Sequence, residues 1–274
     1  MLDWPVTLSL AHVLTILLIG LFAGFVGGLA GVGGSLVMLP ALGLLFGYDE
    51  PERTRQHVFI AAAMIVNAFI AIPATWQHAR HGAILKSVVT PLIPTMVLGI
   101  AAGVGLSIFM SGRGLVLLLA GFMFAYCALN AYRLIARHEE APRTDVGQSH
   151  RERVALSTLG GFTGIVAGLL GIGGGVVLVP AMQLFLRIPL RNAIAASAAT
   201  MCLSAAVGSI LKLISLRAES VAISDALLLA AMLAPTATGA SILGARAAQR
   251  LPLPAVRLAI SVILGIAAAR LALR

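Results

Sequence analysis

AGFVGGLAGVGGSLVMLPAL (residues 23–42) aligns without a gap on TGIVAGLLGIGGGVVLVPAM (residues 163–182), at a constant offset of 140. Gly24, Gly28, Gly31, Gly33, Gly34, Pro40 and Ala41 fall on Gly164, Gly168, Gly171, Gly173, Gly174, Pro180 and Ala181. Five matched glycines and a matched proline in one 20-residue window exceed what shared apolar composition supplies, so the chain is internally duplicated. A weaker echo follows at an offset of about 136, where Arg55 and Gln56 precede one apolar block much as Arg191 and Asn192 precede another.

The solvent around these windows is lipid. Of 274 residues, 59% are hydrophobic and 11% charged, against roughly one-quarter charged in a soluble domain, and the mean hydropathy is +1.01. Apolar blocks run over about 8–47, 58–76, 84–110, 114–135, 154–186, 192–215, 221–246 and 253–272, and a spanning helix needs about 20 apolar residues. The expectation is an all-α polytopic membrane protein of about eight transmembrane blocks in two repeated halves, each with a glycine-broken helix. The first repeat covers 1–136 and the second 154–274. Between them RHEEAPRTDVGQSHRER (137–153) reads as a cytoplasmic linker. The N-terminal apolar stretch has no Lys or Arg before it and outruns a signal-peptide core, so it reads as a retained first helix. Trp4 and Trp76, at block ends, suit the headgroup layer.

The first block must break. As one straight helix its roughly 40 residues reach about 60 Å, twice the hydrocarbon thickness. Glycine disfavours a helix interior and readily takes positive φ, which puts the breaks at Gly31–Ser35 and Gly171–Gly175. Irregular backbone at membrane depth is tolerated only inside protein or beside a water-filled cavity, and matched broken helices in two halves mark a transporter site. Each short helix after a break starts with free N–H groups and a partial positive charge, which favours an anion. Gly24, Gly28, Gly164 and Gly168 read instead as close helix packing.

The doubled GxxGxGG turn leading to Pro-Ala, the HARHGAI stretch (78–84) and PTATGASILGARAAQRLP (235–252) together resemble the sulfite exporter TauE/SafE family of membrane transporters, over nearly the whole chain. The resemblance implies transport of small sulfur-containing or carboxylate anions, such as sulfite or sulfonates, across a bacterial inner membrane. The chain departs from the family pattern at Ser35, where a glycine is commoner, and at Ala195-Ala196-Ser197, where Gly-Thr-Ser is more usual. Phe59-Ile60-Ala61, taken as the first-half counterpart, has no hydroxyl.

The expected substrate-binding residues are Gly31, Gly33, Gly34, Ser35, Gly171, Gly173, Gly174, Gly175, Ser197 and Thr200, the last two lying three apart on one helical face. Asn67 and Ser204 fit a bond between helices as well as a pathway. Arg55, His57 and Arg191 read as interfacial anchors. None of the ten acidic residues lies at the centre of a block, which argues against a carboxylate proton relay and favours an electrogenic carrier or coupling through water, His57 or a protonated substrate. No catalytic group, metal or cofactor is expected; Cys127 and Cys202 read as buried thiols. The net charge of +9 is spread over loops, which fits anionic headgroups better than nucleic acid. The partners expected are thus a small anion and the lipid bilayer, with assembly into a homo-oligomer left open. Two rival readings remain: an intramembrane hydrolase using Ser35 and His57, and a channel.

Orientation stays open. If every block crosses once with the N-terminus inside, 11 Lys/Arg lie inside and 8 outside; if the two broken blocks are hairpins and the N-terminus is outside, the count is 12 to 7. The first makes the halves parallel repeats and the second inverted ones, and the positive-inside rule does not separate them.

Overall fold

A computed structural model describes residues 9–46, 55–136, 145–218 and 223–250, together with Gly265. These residues form nine helices: α1 (Leu10–Ala30), α2 (Ser35–Phe46), α3 (Arg55–Arg80), α4 (Lys86–Ile108), α5 (Gly112–Ala136), α6 (His150–Leu170), α7 (Gly175–Leu186), α8 (Leu190–Ala218) and α9 (Ile223–Arg250). Six of them, α1, α3, α4, α6, α8 and α9, are long and apolar enough to cross a membrane. The chain is a multi-pass membrane protein. The eighth apolar block and Trp4 lie outside the described residues, apart from Gly265.

Both long blocks break at the glycines. Gly31 and Gly171 end α1 and α6 in the left-handed conformation, at φ 64° and 69°, which costs glycine nothing and other residues strain. After four irregular residues the chain turns back: Gly34 lies against Ala23, and Phe46, at the far end of α2, stacks on His12 near the start of α1. Helices α1 and α2 therefore form an antiparallel hairpin, and α2, with 12 residues or about 18 Å of rise, returns without spanning. The buried and half-buried pattern of 31–40 repeats position by position over 171–180.

The halves interlock. Helix α1 packs on α9 and α4 packs on α6, each pair parallel and each seamed by small residues. A Cβ on Gly24 or Gly28 would strike the carbonyls of Ala237 and Ser241, and one on Gly164 or Gly168 those of Met96 and Ile100. The partners correspond at an offset of 141, Met96 to Ala237 and Ile100 to Ser241. Without a hydrophobic drive between helices in lipid, such close backbone approach is what holds a bundle together.

At the centre α3 lies against α8. Lys212, late in α8, reaches His57, early in α3, while Asn192, early in α8, reaches the carbonyl of Ala83 just past α3; the two helices run antiparallel. They are corresponding helices of the two halves, since Gly31 faces Ile194 as Gly171 faces Ile60. An axis relating them lies across the helices, in the membrane plane, so the repeats are inverted. The register is 134 (Ile60 to Ile194, Asn67 to Met201), not about 136, because three residues join α7 to α8 where eight join α2 to α3. Arg55 accordingly corresponds to Pro189, and the counterpart of Ser197 is Ala63, which also lacks a hydroxyl.

Large apolar side chains such as Leu18, Phe69, Leu98, Leu117, Phe162 and Ile210 are exposed, as lipid-facing positions are. Trp76, half-exposed near the end of α3, carries the Arg80 guanidinium 4.0 Å above its ring, a cation–π pair at interfacial height. Helix α6 starts at His150 with a capping box between Ser149 and Glu152. The segment before it docks on α4, where Ser87 Oγ donates to the Val146 carbonyl at 2.7 Å.

Candidate functional site

The two breaks meet. Gly175, the first residue of α7, lies against the backbone of Gly31 and Val32, leaving no room for a Cβ. Gly33 and Gly173 face each other across two side chains: a Cβ on Gly33 would stand 2.8 Å from Asn67 Oδ1 and 3.2 Å from Met201 Sδ, and one on Gly173 2.8 Å from that sulfur and 3.0 Å from Asn67 Nδ2. Their φ values of 77° and 71° are open only to glycine without strain. Gly34 and Gly174 sit one residue on, each against its own hairpin and a neighbouring helix: Gly34 on Ala23 of α1 and Ile70 of α3, Gly174 on Thr163 of α6 and Met96 of α4.

Asn67 is the thirteenth of the 26 residues of α3 and fully buried. Its Oδ1 accepts from the Gly34 N–H at 2.9 Å, and its Nδ2 donates to Ser35 Oγ at 2.5 Å and to the Gly171 carbonyl at 3.4 Å. One carboxamide thus caps α2 and ties the first break to the second. From the other side Ser197 Oγ donates to the Gly31 carbonyl at 2.7 Å. Thr200 is buried beside it, its hydroxyl donating to the Ser197 carbonyl of its own helix at 2.9 Å.

The electrostatics follow from direction. Helices α2 and α7 run away from the meeting point toward opposite membrane faces, so both present their N-termini to it. The first N–H groups of a helix have no intrahelical acceptor, and together the two ends carry about one elementary charge of partial positive character. At α2 that field is answered by the carbonyl dipole of Asn67. Chemically the centre is a seat of backbone donors, small hydroxyls and one carboxamide, buried in apolar surroundings.

All ten residues expected to bind substrate lie in or beside this centre. Asn67, which the sequence fits to a bond between helices as well as to a pathway, joins both breaks. Two further polar side chains differ from the expectation. His57, expected as an interfacial anchor, is buried at 4% exposure, and Lys212, counted among the loop charges, is wholly buried. Lys212 Nζ lies 2.9 Å from His57 Nδ1 and 2.9 Å from Ser107 Oγ. Ser35 bonds Asn67 and His57 bonds Lys212, so the two do not form a nucleophile–base pair. Among the described residues no three His, Cys, Asp or Glu gather where a metal ion would sit.

Known proteins are similar to this chain in sequence. A probable membrane transporter protein of Xylella fastidiosa (strain Temecula1) is 33% identical over 184 residues, 65% of this chain and 65% of that one, so the match spans less than two-thirds of the relative's length. The probable membrane transporter YunE of Bacillus subtilis is 28% identical over 214 residues, 73% of this chain and 78% of its own. MamO of Magnetospirillum gryphiswaldense, also a probable membrane transporter, is 28% identical over 89% of this chain but only 42% of its own length. No solved structure matches the chain. The model of the family described as sulfite exporter TauE/SafE matches residues 16–271, both breaks and the central pair of helices included, and the chain belongs to that family.

Proposed function

We propose that this protein carries a small oxyanion, such as sulfite, a sulfonate or a small carboxylate, across the bacterial inner membrane, with backbone N–H groups at the two glycine breaks as its principal ligands. The observation that carries the reading is the convergence of the α2 and α7 N-termini on one buried point, where the Gly34 N–H already holds the oxygen of Asn67. An oxyanion oxygen is a stronger acceptor than a carboxamide and answers the field of both helices. The glycines bring backbone, rather than side chain, to the ligand. Ser35 and Ser197 add hydroxyls, one from each half. The acidic residues of the described chain stand away from an anion at the centre, Glu152 and Asp225 in the first turns of α6 and α9 and Asp145 in the segment before α6. The names of the relatives, probable membrane transporters, support the same class.

The test is flux in proteoliposomes containing the purified protein, with a panel of sulfite, methanesulfonate, taurine and acetate. At least one anion moves faster than in protein-free vesicles, and Gly173→Val, inserted and folded, slows it at least tenfold. Transport by that variant at the wild-type rate sinks the proposed ligand set, and no flux of any anion sinks the function.

A further inference from the structure

The Lys212–His57 contact is separate from the glycine breaks: His57 precedes Asn67 on α3 by ten residues, about 15 Å of helix rise. Ionisable side chains are rare inside membranes and mark functional positions when they occur, and this one is fully enclosed. Ser107 Oγ donates to the carbonyl of Val104 at 2.7 Å, which leaves its lone pairs for Lys212. Nζ and Nδ1 at 2.9 Å share one bridging hydrogen. The pair is therefore intact only while one of the two nitrogens has a free lone pair. A further proton, taken from water onto that lone pair, leaves two cations face to face and abolishes the bond.

The location gives this titration a mechanical meaning. The bond joins α3 to α8, the two corresponding helices on the pseudo-two-fold axis, and through Ser107 it also holds α4. At the 134-residue register Lys212 corresponds to His78, buried at the opposite end of the same helix pair, where Nδ1 lies 3.1 Å from Gln249 Nε2. The Lys212 end thus has two buried titratable residues that meet directly, whereas at the other end His78 meets the neutral carboxamide of Gln249, which can turn its oxygen to a protonated ring as the lysine cannot. The remaining titratable side chains near that end are His12 on α1, Arg55 on α3, Arg113 on α5, Arg217 on α8 and Asp225 on α9; α2 has none, and the sole lysine of α4, Lys86, is at its other end. Asp49, Glu50, Glu52, Arg53 and Glu219 belong to segments outside the described residues.

We infer that the Lys212–His57 pair is a proton-binding site that couples passage of the anion to movement of a proton in the same direction. The inference rests on the anion-carrier reading above. An extra positive charge in the bundle interior is costly unless a negative one accompanies it, so the doubly protonated pair and the anion at the breaks load together. Loss of the α3–α8 bond frees one end of the axis, and release of the proton on the other side restores it.

The experiment uses methanesulfonate, a permanently ionised anion, so that any proton that moves is carried by the protein. Proteoliposomes are clamped at zero membrane potential with potassium and valinomycin, and internal pH is read by a trapped dye. With wild-type protein, acid outside drives uptake above the external concentration, and the lumen acidifies as the anion enters. His57→Gln keeps an acceptor for Lys212 but takes up no proton, so the α3–α8 bond stays made: methanesulfonate flux falls at least tenfold and does not respond to the pH gradient, while the melting temperature stays within a few degrees of wild type. Lys212→Met, which cannot make the bond, likewise accumulates no methanesulfonate under the pH gradient and serves if His57→Gln does not fold. Wild-type flux indifferent to the pH gradient overturns the coupling while leaving the carrier reading standing, as does pH-driven accumulation by either variant. Absence of flux with every anion of the panel removes both.

Discussion

Asn67 satisfies three buried backbone and side-chain groups with one carboxamide, and its oxygen stands where a ligand oxygen is proposed to bind. That double role makes two substitutions diverge. Asn67→Leu leaves the Gly34 N–H, the Ser35 hydroxyl and the Gly171 carbonyl without this partner, at about 1–3 kcal/mol for each group left unsatisfied, so both the melting temperature in detergent and anion flux fall. Asn67→Asp keeps an acceptor for the Gly34 N–H and can accept from the Ser35 hydroxyl, but it loses the donor to the Gly171 carbonyl and adds a negative charge at the helix N-termini, which suits the helix dipoles and repels the anion. Its melting temperature falls less than that of Asn67→Leu while flux drops at least tenfold; an Asp variant that transports like wild type contradicts the placement of the anion. Gly173→Val acts by another route, since a β-branched residue at φ 71° is strained by about 1–3 kcal/mol and its side chain meets Met201 and Asn67. At this scale the sequence shows that the glycines recur at a matched spacing, but not that Asn67 faces both breaks. Its position depends on a register between distant segments that shifts by six residues, from 140 to 134, because the α7–α8 connection is five residues shorter than the α2–α3 one and the match begins one residue before α8.

Each short helix exists because a long apolar block cannot remain one helix across a membrane of fixed thickness, and the glycines decide where it turns. That element is legible from block length and the doubled motif alone, as is the role of Gly24, Gly28, Gly164 and Gly168 in close packing. The pairing of those stripes is not legible, because any apolar helix with small residues offers a plausible partner; only the fold shows that each stripe packs on a helix of the other half. The consequence is measurable. Gly164→Leu drives a side chain into the Met96 carbonyl and the α4–α6 seam, an overpacking cost of at least 1–3 kcal/mol, roughly, so folded yield and melting temperature drop sharply. Gly121→Leu and Gly239→Leu, at helical glycines with nothing within 4 Å of an added Cβ, change the melting temperature by no more than a few degrees. Equal tolerance at all three positions contradicts the packing assigned to the seam.

At the scale of the molecule, inversion of the halves explains why both short helices aim their N-termini inward: one hairpin enters from each face, and a two-fold axis in the membrane plane brings their tips together. Charge counts of 12 to 7 and 11 to 8 are too close to decide between inverted and parallel repeats. The antiparallel course of α3 and α8 decides it, through contacts at sequence separations beyond 100 residues that no local pattern encodes. The inverted arrangement then sorts the described basic residues. Arg80, Lys86, Arg133, Arg151, Arg153, Arg187, Arg191, Arg246 and Arg250 belong to the face that holds the segment joining the halves, and Arg55, Arg113, Lys212 and Arg217 to the other. The positive-inside rule predicts that the first face is cytoplasmic. In a background without Cys127 and Cys202, single cysteines at His81 and Ser149 are shielded from an impermeant maleimide added to intact cells, and one at Ser111, in the α4–α5 connection, is labelled. After permeabilisation all three react. Labelling of His81→Cys and Ser149→Cys in intact cells with Ser111→Cys shielded reverses the orientation but keeps the inversion. Protection that differs between His81→Cys and Ser149→Cys breaks the fold itself, since both positions lie on one face only if α3, α4 and α6 run as described.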